Sequence, residues 1–168
     1  MINIIQSRQA WLLLALTALG LELTAIYLQY YLHLQPCVLC VYERSSIGLV
    51  IAAGILGFIN PKVFLFRLGG YLLWTSGVAW GLFLSIKHSA IQMGLISSPA
   101  SCTFMANFPT WLKLDQWFPA VFNPTGYCED IQWQFLGLSM PQSMVIINAV
   151  YLLVLLVIVA MEFKQPRS

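Results

Sequence analysis

The run WLLLALTALGLELTAIYLQYYL, Trp11–Leu32, holds nine leucines and a single acid, Glu22, near its middle. On transfer into a bilayer a central carboxylate costs roughly 3 kcal/mol, while each leucine returns about 0.5 kcal/mol, so the leucines prevail. Three more apolar runs follow, at about Val38–Ile59, Leu68–Ile86 and Ser143–Met161, and the four measure 19 to 22 residues each. At about 1.5 Å per residue, such lengths cross a hydrocarbon core of about 30 Å. The expectation is an all-α integral membrane protein, a bundle of four transmembrane helices forming one domain over residues 1–168. A secretory signal is a poor reading of the first run. It is too long, it carries Glu22, and no small-x-small cleavage site follows.

Composition agrees. Of 168 residues, 60% are hydrophobic and 8% charged, with a mean hydropathy of +0.80. A water-soluble fold of this length could not hide so much apolar side chain. A net charge of +2, thinly spread, excludes the basic footprint of a nucleic-acid-binding protein.

Four spans put both termini on one side. Arg8, Lys62, Arg67, Lys164 and Arg167 lie on that side, against Lys87, Lys113 and Arg44 on the other. Five against three predicts cytoplasmic termini. The long segment of about 87–142 is then an outer loop, and all four cysteines face the outer, oxidising compartment, where disulfides persist. Four cysteines allow three connectivities. Pairing within each loop, Cys37 with Cys40 and Cys102 with Cys128, is the first expectation.

QPCVLCVYER, Gln35–Arg44, marks the entrance to the second run. Pro36 suits a first helical turn. A helix beginning near Cys37 sets Cys37, Cys40, Arg44 and Gly48 on one face. The positive helix N-terminus and Arg44 both favour thiolate over thiol. A reactive pair at the outer lipid boundary suits an electron acceptor dissolved in lipid, which points to a quinone. A lone CxxC is a weak signal, shared with zinc sites and structural bridges, and Arg44 could simply anchor a helix end at the headgroups.

The outer loop holds the second pair, 26 residues apart. A structural cross-link of that span would restrict the unfolded chain by roughly 3.5 kcal/mol. Against that, the loop is long and rich in Pro, Asn, Ser and Gly, which reads as mobile and functional. Exposed disulfides on such loops are open to attack by a partner's thiolate. Trp111, Trp117, Phe118 and Phe122 among a few polar residues suit a segment in the interface plane, or a loop packing aromatics on the helix tops. Glu22 reads as a packing residue inside the bundle. His33 reads as an interfacial histidine, and Gly48, Gly54 and Gly57 as points of close helix approach. The spacing of His33, His88 and the four cysteines is not a usual zinc arrangement, so no metal is expected.

Several segments together resemble the DsbB family: PCVLCVYER after one span, LELTA in the first helix, FPTWLKLDQW, QWQFLGLSMPQ, the second cysteine pair and the overall length. The resemblance covers nearly the whole chain. It implies a bacterial inner-membrane four-helix enzyme that reoxidises a periplasmic DsbA-like thioredoxin-fold dithiol oxidase and passes the electrons to ubiquinone or menaquinone. It further implies that Cys102 is attacked by the partner, that Cys128 then engages Cys37, and that Cys40 is the thiolate facing the quinone. Arg44 and His88 correspond to residues lining the family's quinone site. The competing expectations are a non-catalytic membrane subunit braced by two outer disulfides, and a DsbB paralogue with a dedicated partner.

Overall fold

A computed structural model describes residues 7–97 and 105–164. The chain forms helices α1 (Arg8–Tyr31), α2 (Val38–Ile59) and α3 (Phe64–Gln92), then two single turns, α4 (Leu114–Trp117) and α5 (Pro119–Phe122). A hairpin of β1 (Gln134–Phe135) and β2 (Leu138–Ser139) leads into α6 (Met140–Lys164). The long helices pack in a row, α1 on α2, α2 on α3 and α3 on α6.

Among the described residues three helices are long and apolar enough to cross a membrane, Arg8–Tyr31, Val38–Ile59 and Met140–Glu162. The third run of the sequence lies in α3, which is longer than expected, at 29 residues, and is rich in small residues. The small residues have a reason: α3 packs against both α2 and α6, and Gly70, Gly77, Gly81, Ser85 and Ser89 are among its buried residues. Small residues serve where backbones approach closely. The lipid-facing side of α1 is different in kind, with Leu13, Leu16 and Leu23 more than half exposed.

Trp11 belongs to the apolar core, together with Leu14, Ala18, Val50, Ala53 and Trp74. Its ring lies 5.2 Å from Tyr71 and 6.3 Å from Trp74. It fits because two helices offer no side chain there: a Cβ at Gly57 or Gly70 would run into the indole. Gly54 meets the Ala15 backbone in the same way, as expected, whereas Gly48 faces open space and has no role in close approach.

The outer segment is more ordered around its second half than its composition suggests. The hairpin turns at Leu136 (φ 53°) and Gly137 (φ 80°), both left-handed, the pattern of a two-residue type I′ turn. Phe122 packs on Phe108, and Phe108 on Tyr42, while Trp111, Trp117 and Phe118 stay exposed. The aromatics thus divide between the two expected arrangements.

Gly57→Val should lower stability by about 1–3 kcal/mol, the cost of overpacking a filled site. Unfolding in detergent would check it, and adding Trp11→Leu should return part of the loss.

Candidate functional site

The site begins at the first turn of α2. Cys37 is the residue capping the helix, not its first helical residue, and its Sγ accepts the Cys40 N–H at 3.3 Å. The Cys37 and Cys40 sulfurs lie 2.8 Å apart. Pro36 therefore stands before the cap, with its carbonyl free. The N–H groups of Thr125 and Gly126 donate to that carbonyl at 2.8 and 3.1 Å. On the other side of Cys128, Gln132 accepts the Gln35 N–H at 2.8 Å and donates to the Gln35 carbonyl at 3.3 Å. A Cβ at Gly126 would strike the Gln35 carbonyl, so only glycine lets the strands of chain approach this closely.

These bonds bring Cys128 to Cys37. Both are 1% exposed, and Cys37 Sγ, Cys128 Sγ and a ring nitrogen of His88 lie within 4.8 Å of one another. Cys102 lies outside the described residues, so its expected bond to Cys128 has no geometry here.

Burial pushes the Cys37 thiol well up, with hydrogen bonds to Cys128 and Cys40 acting in the same direction. Cys128 is held down to about 6, first by its hydrogen bond from Cys37 and then, against burial, by the Leu39 backbone. Of this touching pair, Cys37 keeps the proton and Cys128 carries the charge.

Around the cysteines opens a mainly apolar cavity of about 290 Å³, walled by α1, α2, α3 and the start of α6. Glu22, Cys40, Arg44, His88, Met144 and Ile147 are among its lining residues. Arg44 is 8% exposed. Its Nη1 donates to Gln29 Oε1 and to the Val121 carbonyl, both at 2.6 Å, and its Nη2 to the Ala25 carbonyl at 3.4 Å. It is thus a fixed cation braced by α1 and α5, not a headgroup anchor.

His88 comes from α3 with Nε2 3.6 Å from Cys37 Sγ. Its Nδ1 is 3.0 Å from Glu43 Oε1, and both residues are buried. The structure therefore gathers Cys37, Cys40, Cys128, Arg44 and His88 at one place. His33 is exposed and ends α1 in a left-handed conformation, away from the cavity lining. Glu22 lies inside the bundle, where it lines the same cavity as Arg44.

Sequence reasoning missed Glu43, counted only as an outer acid, and the glutamines Gln29, Gln35 and Gln132. The usable signal was Glu43 itself, an acid one turn inside a helix that enters an apolar layer.

A family model described as disulfide bond formation protein DsbB matches residues 7–158. A disulfide bond formation protein B of Psychromonas ingrahamii is 46% identical over 153 residues, 90% of this chain and 82% of its own. The same-named proteins of Pectobacterium atrosepticum and Escherichia coli O1:K1 are 48% and 47% identical over 164 residues, 96% of this chain and 92% of theirs.

In the fully reduced protein, alkylation of Cys128 should set in as pH rises through about 6, well below an ordinary thiol. Cys37→Ala removes the donor and should move that onset upward. Peptide-resolved mass spectrometry across pH reads both.

Proposed function

Because the chain belongs to the DsbB family of disulfide bond formation proteins, we propose that its buried cysteine cluster carries electrons from a periplasmic dithiol to a membrane quinone. The family activity is that of a membrane protein-disulfide oxidoreductase that reoxidises DsbA. The observation supporting the proposed route is the meeting of Cys37, Cys40 and Cys128 beside a cavity that also holds Arg44.

The route is a series of exchanges, each a thiolate attack on a disulfide sulfur. A DsbA-like donor's thiolate attacks Cys102 of a Cys102–Cys128 bond, and Cys128 leaves as thiolate. The groups that hold the Cys128 charge suit it to that part. Cys128 then attacks Cys37 of the Cys37–Cys40 bond, its immediate neighbour, and the electron pair passes to Cys40. Cys40 borders the cavity, so its charge develops where an acceptor can sit.

The apolar walls, one fixed cation and one sulfur suit a flat ring with carbonyl oxygens, as in ubiquinone or menaquinone. Such a quinone supplies the sink for two electrons and two protons. Arg44 is set to favour negative charge on a ring oxygen, because its own hydrogen bonds hold it in place before the reaction. Burial in a low-dielectric setting strengthens that effect.

The whole chain is read as one membrane domain in the bacterial inner membrane. Here α3 is the fourth span, both termini are cytoplasmic, and all four cysteines are periplasmic. Support comes from the length of α3, its packing between α2 and α6, and the distribution of Lys and Arg.

Purified protein given a reduced DsbA-type donor should reduce added quinone, followed by absorbance. Cys40→Ser should abolish turnover while Cys102 still forms a mixed disulfide with the donor. Normal turnover in that variant would refute the route. Arg44→Ala should raise the apparent KM for quinone about 10-fold or more, the loss of a charged hydrogen bond of about 1.5–3 kcal/mol, and leave mixed-disulfide formation unchanged.

A further inference from the structure

Glu43 of α2, His88 of α3 and Cys37 at the α2 cap form a continuous buried line, with exposures of 5%, 2% and 1%. The carboxylate lies 3.0 Å from Nδ1, and Nε2 lies 3.6 Å from the sulfur. A carboxylate can only accept, so it keeps a proton on Nδ1 and leaves Nε2 to face the thiol. This is the order of an orienting acid, a base and a nucleophile. The sulfur needs such a base. Disulfide exchange requires the thiolate, and burial holds Cys37 as thiol in a place that bulk water does not reach.

We propose that Glu43, His88 and Cys37 act as a proton-transfer triad, in which His88 Nε2 takes the Cys37 thiol proton as the Cys37–Cys40 disulfide is re-formed. Glu43 is the positioning residue, holding the ring and countering its charge. The inference rests on the quinone-linked route above and adds the path of one proton to it. In the balanced step the Cys37 and Cys40 S–H bonds break and the S–S bond forms. Two electrons and two protons go to a quinone, which leaves as quinol. One of those protons is the Cys37 proton, carried by His88, whose ring also lines the cavity. His88 ends the cycle with Nε2 bare again. Against burial, the hydrogen bond to Glu43 and negative charge on Cys40, Glu43 and Cys128 raise the ring to about 9. With Cys128 in its disulfide and the Cys40 charge passed to the quinone, that hold weakens, and Nε2 is open to the Cys37 proton. Arg44 and Glu22 line the same cavity.

The test uses full-length protein in detergent, stripped of bound quinone and supplied with a defined ubiquinone analogue. Single-turnover quinol formation is measured against pH. His88→Gln should slow it about 10²-fold near neutrality, with the rate recovering as pH rises and hydroxide replaces the base. Glu43→Gln should cost about 10-fold, as loss of an orienting carboxylate does. A loss of equal size at every pH would overturn the triad. A second readout needs no variant and no quinone: ¹⁵N NMR of the histidine rings in the native chain. With both disulfides formed, a neutral ring with its proton on Nδ1 and a bare Nε2 near neutral pH supports the triad, and a bare Nδ1 or a ring protonated on both nitrogens overturns it. If the unsubstituted protein fails to form quinol at all, the quinone route falls, and the ring spectrum still decides the triad.

Discussion

The N–H of Cys40 must find an acceptor before α2 enters the apolar layer, and it finds the Cys37 sulfur. Unpaired donors are costly in a membrane, so a helix entering one needs a cap. Using a sulfur as that cap puts a reactive atom at the positive end of the helix. It also keeps Pro36 outside the helix, where its carbonyl can take two N–H groups from the outer segment. The rest of the site follows from that placement. Cys128 is bracketed by the bonds to Pro36 and Gln35, and so arrives beside Cys37 and not somewhere along a free loop.

The buried Arg44 and His88 beside the cysteines have fixed partners. Arg44 is held by a side-chain carbonyl on α1 and two backbone carbonyls, and His88 by Glu43. Neither is left to find a partner in water. A charge so buried is costly unless it is hydrogen-bonded. Once it is, it meets reaction intermediates with little reorganisation. The cavity lies where these groups and Cys40 share a wall, at the junction of four helices.

The same logic explains the inequality among the sulfurs. Cys37 and Cys128 are equally buried, yet one is pushed up and the other down. At Cys37 burial comes first and its hydrogen bonds to Cys128 and Cys40 push the same way, while at Cys128 the hydrogen bonds from Cys37 and from the Leu39 backbone outweigh burial. In the proposed route the charge therefore sits on the sulfur that attacks Cys37.

Much was legible in the chain alone. The long apolar runs, the cysteines at a helix entrance, the cation one turn later and the glycine approaches at Gly54 and Gly57 are local features. Each follows from run length, helical spacing or side-chain size. The Pro36 position erred by one turn element, because a cysteine can cap a helix as serine does and nothing in PCVLC says which residue will. The length of α3 also escaped, since Lys87, His88 and Ser89 end an apolar run without ending a helix. The meeting of Cys128 with Cys37 was expected only through the family resemblance, and what the tertiary structure alone decided is that Glu43 meets His88 and Gln35 meets Gln132. Those pairs lie 45 to 97 residues apart along the chain. No periodicity links them, and they are set by how α3 packs on α2 and how the outer segment closes over the cap.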